Sequence, residues 1–99
     1  RGKVTQTGTG APTAVVWDNY LGGTIVWSYN GVGDYTATLA GAFPAAENDF
    51  FVQFSNLNGI GDIQIAWNGA DDFIVTTQDI AGAAANDVLN NLCIDIYIR

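Results

Sequence analysis

Apolar and polar residues alternate along most of this chain in short runs, broken about every ten residues by glycine, asparagine or aspartate, the spacing of a small antiparallel β protein. Thr13–Tyr20 sets Ala14, Val16 and Asp18 on one face against Val15, Trp17 and Asn19 on the other. Asp34–Ala40 opposes Tyr35, Ala37 and Leu39 to Thr36, Thr38 and Ala40, and Phe50–Leu57 opposes Phe51 and Gln53 to Phe50, Val52 and Phe54. Asp62–Trp67 places Ile63, Ile65 and Trp67 against Asp62, Gln64 and Ala66. Leu92–Ile98 alternates Ile94, Ile96 and Ile98 with Cys93, Asp95 and Tyr97. A period of two is the strand period, because successive side chains leave the backbone on opposite sides. Thr24–Tyr29 and Phe73–Thr77 are rich in β-branched and aromatic residues, and Lys3–Thr7 reads as a short edge strand.

The punctuation agrees with these runs. Asn30-Gly31-Val32-Gly33-Asp34 carries a hairpin signal, extended enough to predict a bulged loop rather than a two-residue turn. Asn58-Gly59-Ile60-Gly61 and Asn68-Gly69-Ala70-Asp71-Asp72 predict two more turns, and Gly41–Asp49, with Pro44, predicts a connection outside any ladder. Ile80–Asn91 departs from the pattern. Its four alanines favour a helical turn, but Gly82 and the asparagines favour a loop crossing one end of the sandwich. The fold expected is all-β, an antiparallel β-sandwich or jelly roll of about eight short strands in one domain over residues 1–99. Lys3–Tyr20 would form an edge and arm, and Leu92–Arg99 the terminal strand.

Composition narrows the function more than the fold. Hydrophobic residues make up 48% of the 99 and charged residues 13%, the reverse of a disordered chain. No apolar stretch approaches the ~20 residues of a membrane helix. Arg1 in the first position, rather than Met, is expected of a fragment or processed product. The net charge is −7, with only Arg1, Lys3 and Arg99 basic, at the chain ends. Phosphate backbones and anionic membrane surfaces need a basic track, so neither nucleic acid nor a membrane is an expected partner. Cys93 is the one cysteine, which excludes an intrachain disulfide and a thiolate cluster; its place in Leu92-Cys93-Ile94 predicts a buried thiol.

Catalytic chemistry has little to work with. There is no histidine, so Ser-His and Cys-His nucleophiles and imidazole metal ligands are absent, and Ser28 and Ser55 have no base near them in sequence. Glu47, Asp49, Asp62, Asp71 and Asp72 are the acids that paired-carboxylate hydrolysis would draw on, and most lie in predicted turns. No enzyme activity and no cofactor are expected. Asn68, Asp71 and Asp72 are the candidates for Ca²⁺, but they lack the alternating spacing and bidentate glutamate of an EF-hand, and turn formation accounts for them. Trp17 and Trp67 continue apolar alternations and are expected in the core. Trp27 and Tyr29, sharing one face beside the Asn30 loop, are the best pair for an exposed contact patch, with Tyr97 a further interface candidate.

Four stretches carry a resemblance. They are Thr5–Thr13, Leu21–Trp27, Gly33–Pro44, and Leu89-Asn90-Asn91 before an isoleucine-rich strand. Together they resemble small β domains in structural proteins of tailed bacteriophages, of the fibre and head-decoration types. The shared motifs are turns and strands, with no functional residue to carry over. The resemblance implies a non-catalytic homotrimer at the virion surface, decorating a capsid or ending a fibre. It would bind other capsid or tail proteins and contact a host surface glycan. In such a trimer Ile94, Ile96 and Ile98 would fill the core and Tyr97 would lie near an axis or interface. The alternative is a secreted carbohydrate-binding or adhesin module working through Trp27 and Tyr29.

Overall fold

The computed structural model of the chain describes residues 1–43, 50–55 and 61–98. Among the described residues eight strands are formed: β1 (Gly2–Thr5), β2 (Thr13–Val16), β3 (Val26–Gly31), β4 (Asp34–Thr38), β5 (Phe50–Ser55), β6 (Asp62–Trp67), β7 (Asp72–Gln78) and β8 (Leu92–Ile98). They build two antiparallel sheets of four, sheet A in the order β2-β1-β8-β5 and sheet B in the order β3-β4-β7-β6. The described residues contain no helix. The protein is an all-β sandwich.

The core lies between the central strands of the two sheets. Val4 of β1 and Leu92 and Ile94 of β8 face Tyr35 and Ala37 of β4 and Phe73 and Val75 of β7, with Phe43 and Leu89 added from connections. The strand positions among these follow from the period-two alternation. Phe73 is fully buried and takes Trp27 edge-on at 6.0 Å and Phe43 edge-on at 5.3 Å between ring centres. Burying one such side chain is worth about 1.5–3 kcal/mol, so this aromatic group is a large share of what holds the sheets together. Ile94 is buried, Ile96 is half-buried against the core, and Ile98, at the strand's end, is exposed.

Strands end early where a side chain offers the backbone another partner. Thr13–Tyr20 stops at Val16, because beyond it Asn19 accepts a hydrogen bond from the Leu21 N–H and donates to the Gly23 carbonyl, closing a turn. Lys3–Thr7 becomes Gly2–Thr5, and Gln6 folds inward instead of continuing the ladder. The Asn30 hairpin carries the expected bulge, between Tyr29 and Gly31, but the turn is tighter than expected, with only Val32 and Gly33 between the strands. The expected turn at Asn58–Ile60, the end of Phe50–Leu57 and the part of Gly41–Asp49 from Pro44 onward, including Glu47 and Asp49, lie outside the described residues.

The connection from β7 to β8 passes from one sheet to the other without forming a helix. Asp79 accepts hydrogen bonds from the Ala81 and Ala83 N–H groups, an arrangement that favours a turn over a helix. Asp87 and Asn91 then adopt left-handed backbone angles (φ 66° and 56°), which aspartate and asparagine tolerate best after glycine. Val88 and Leu89 are buried, so the connection also plugs the end of the core.

That end is fixed by a polar cluster. Tyr35 donates its hydroxyl to Gln6 Oε1 at 2.7 Å and lies 3.2 Å from Asn86 Oδ1. Gln6 Oε1 also accepts the Asp87 N–H at 2.8 Å, and Asn86 donates to the Tyr29 hydroxyl at 3.1 Å. Burial pushes the Tyr35 hydroxyl pKa above its ordinary value, while Thr77 beside it lowers it by less.

Candidate functional site

The register of sheet A decides which side chains share its outer face. Val15, Lys3, Cys93 and Ser55 stand in one row across β2, β1, β8 and β5. In the next, Trp17 lies beside Arg1, and Asp95 beside Gln53. Tyr97 and Phe51 form a third row. Four of these residues are large, apolar and open to solvent: Val15 is 65% exposed, Phe51 and Tyr97 54% each, and Trp17 48%. Phe51 and Tyr97 lean on each other at 6.0 Å between ring centres. Contiguous apolar surface of this kind marks interaction sites more often than scattered single residues do.

The polar groups lie between these residues. The Arg1 guanidinium donates to Asp95 at 2.9 Å and is held above its ordinary pKa, first by that hydrogen bond and then by one to Tyr97. The Lys3 ammonium lies 5.8 Å from the centre of the Trp17 ring, within the range of a cation–π contact. Both basic side chains among the described residues are therefore on this face. The outer face of sheet B carries Asp34, Asp62 and Asp72, with Thr36, Thr38, Thr76 and Gln64 around them, and its large apolar members are Val26, exposed on the edge strand β3, and the half-buried Ile74. The two outer faces differ in both charge and polarity.

A cleft of about 740 Å³ opens between the sheets where β2 and β3 form their edges, lined by Gly2, Val4, Val16, Ile25, Trp27 and Ile94 among others. All four residues of β2 are exposed, so this strand has no covered face.

The sequence-predicted contact residues are divided by the sandwich. Trp27 and Tyr29 do share one face, but it is the inner one: both are half-buried, Trp27 against Phe73 and Tyr29 tilted on Tyr35 at 5.9 Å. Tyr97 lies on the outer face of the other sheet. Trp17, expected in the core, is instead at the surface, just past the end of the edge strand β2, whose residues are all exposed. Trp67 keeps to the inner face and is half-buried. Cys93, expected buried, is half-buried on the outer face of sheet A. Phe51 and Val15 were not singled out by sequence. The signal for Phe51 was its pairing with Gln53 opposite an apolar face.

Of the Ca²⁺ candidates, Asn68 and Asp72 bond to each other across one turn and Asp71 ties that turn to the connection at Gly41. Asn68 Nδ2 donates to both carboxylate oxygens of Asp72, at 3.1 and 3.2 Å, and Asp71 Oδ1 accepts the Gly41 N–H at 2.9 Å. A cation would have to displace the Asn68 amide nitrogen from Asp72. Among the described residues no three histidine, cysteine, aspartate or glutamate side chains come together as a metal site. Asp62 accepts the N–H of its neighbour Ile63, again a local bond.

No protein-family model, curated protein or solved structure matches the chain.

Proposed function

We propose that the domain is a non-catalytic structural protein of a virion surface, a capsid decoration or fibre tip that assembles as a homotrimer. The observation that carries this reading is the outer face of sheet A, where Val15, Trp17, Phe51 and Tyr97 stand in solvent around a small charged centre. Such a face gains by being covered, and its aromatic content fits a protein contact. The bacteriophage resemblance of the turns and strands supports the same reading, as do the absence of histidine and the bonding of Asp62 and Asp71 to backbone N–H groups and of Asp72 to Asn68. Other capsid or tail proteins are the further partners it implies. Light scattering on the purified domain at micromolar concentration is expected to give the mass of three copies. A clean single-copy mass would remove the trimer and weaken the virion assignment with it.

A second reading has one observation in its favour. Trp17, Phe51 and Tyr97 lie beside Gln53 and Asp95 on an open sheet face, and aromatic rings next to hydrogen-bonding side chains suit the flat faces of sugar rings. A glycan contact, on a host surface or in a secreted carbohydrate-binding module, would use this face rather than Trp27 and Tyr29. In a glycan array the domain would then bind, and Tyr97→Ala would lower that binding at least tenfold while Tyr29→Phe leaves it unchanged. Silence across the array, or equal binding by Tyr97→Ala, rules the reading out.

A further inference from the structure

We propose that copies of this chain join edge to edge, β5 of one against β2 of the next, so that sheet A runs on from copy to copy. The closure into a ring of three rests on the trimeric reading above.

Among the described residues the two open sheets have four edge strands, and an edge strand presents backbone N–H and C=O groups to any other strand. Proteins blunt such edges with charges, prolines or bulges. Sheet B carries these devices on both sides: β3 is bulged between Tyr29 and Gly31, and β6 opens with the exposed Asp62. Sheet A carries none within its edge strands. β2 is Thr13-Ala14-Val15-Val16 and β5 is Phe50-Phe51-Val52-Gln53-Phe54-Ser55, both uncharged, without proline and in unbroken register with their neighbours. β2 is short, which limits the pairing to about four residues but does not repel it.

Direction agrees. With every neighbour antiparallel in a sheet of four, β2 and β5 run in opposite senses. A second copy placed in continuation of the sheet therefore offers its β2 to β5 antiparallel, and heterologous contacts of this kind close into rings when the rotation allows.

The distribution of apolar surface selects this pairing over a two-fold one. On the outer face of sheet A, Val15 on β2, Trp17 just beyond it and Phe51 on β5 lie at the two sides, with Tyr97 on β8 leaning on Phe51, whereas Lys3, Arg1 and Asp95 lie between the two sides. Head-to-tail pairing brings the two apolar sides together and leaves the charges on the open middle. A β5-to-β5 pairing would cover Phe51 but leave Val15 and Val16, 65% and 55% exposed, in water. Molecules of net charge −7 meet at this joint through strands that carry no charge.

The test uses cysteine pairs in the full chain with Cys93→Ser. Val15→Cys is combined in turn with Phe51→Cys, Gln53→Cys and Ser55→Cys, all on the outer face, and the protein is oxidised and run on a denaturing gel. One combination is expected to give covalent species of up to three copies, and no single cysteine to give any. Covalent dimers from Gln53→Cys alone would show two-fold pairing and overturn the proposal. So would a trimer by light scattering with no cross-link in any combination, which leaves the trimeric reading standing. A single-copy mass for the unsubstituted protein removes both. Gln53→Lys and Val15→Lys, at exposed positions, are each expected to turn three copies into one with an unchanged circular dichroism spectrum; persistence of the trimer in both would also overturn the pairing.

Discussion

Gly33→Ala is expected to lower the unfolding free energy by about 3 kcal/mol, combining a strained backbone with overpacking. Gly33 has φ 64°, a conformation L side chains rarely adopt. Its N–H donates to Asn86 at 3.0 Å and its carbonyl accepts from the Thr77 N–H at 2.9 Å, so the turn is clamped between β7 and the crossing connection. A methyl group here would be driven into the Thr77 carbonyl oxygen and come within 2.9 Å of the Ala85 nitrogen, both backbone atoms that cannot swing aside. Gly31→Ala is the control, since nothing lies within 4 Å of the added carbon, and it is expected to cost less than about 1 kcal/mol. Urea unfolding followed by tryptophan fluorescence reads both. Equal midpoints for the two variants would mean that the hairpin tip is not clamped as described.

The two glycines also illustrate where sequence reasoning was reliable. Strands such as Asp62–Trp67 and Leu92–Ile98 were legible to the residue, because isoleucines alternate there with aspartate, glutamine or tyrosine. Ends were misplaced where Gln6 and Asn19 use their side chains to bond backbone groups, a competition that apolar alternation does not record. The bulge at Asn30 was legible, but the tightness of the turn was not. It depends on Asn86, which accepts the Gly33 N–H from 53 positions later in the chain.

The surface was less legible than the core. Alternation tells which residues share a face but not which face meets the other sheet. In Thr13–Tyr20 both faces are apolar, and only the position of β2 at an edge exposes Trp17. Trp27 and Tyr29 do share a face, but it packs onto Tyr35 of the neighbouring β4 and Phe73 of β7, one strand further in sheet B. Strand order decides such cases, and it is set by long-range pairing: β8 inserts between β1 and β5 although it comes last in the chain. Among the described acids, Asp62 and Asp72 bond to residues close in sequence, and Asp71 bonds to Gly41 at the adjoining bend.

Gln6→Ala is expected to cost about 3 kcal/mol and to loosen the β7–β8 connection selectively, because buried partners lose their bonds together. Gln6 is 2% exposed and its amide makes four hydrogen bonds. It donates to the Gly8 and Gly10 carbonyls at 2.7 and 3.1 Å and accepts from the Tyr35 hydroxyl and the Asp87 N–H. Alanine satisfies none of these. Hydrogen exchange should quicken at Asp87 well before the central strands respond; uniform quickening would mean that the cluster is no separate latch. Tyr35→Phe should cost less, about 1 kcal/mol, since Gln6 and Asn86 keep their other partners. It also isolates a pH effect. The buried Tyr35 hydroxyl titrates above 10.0, the value the unfolded chain approaches, so folding favours its protonated form. That stabilisation is complete below about pH 10 and is lost as pH rises through the folded value. Urea midpoints should therefore fall more steeply above about pH 10 in the unsubstituted protein than in Tyr35→Phe. Parallel falls would place the hydroxyl in contact with water and contradict the buried cluster.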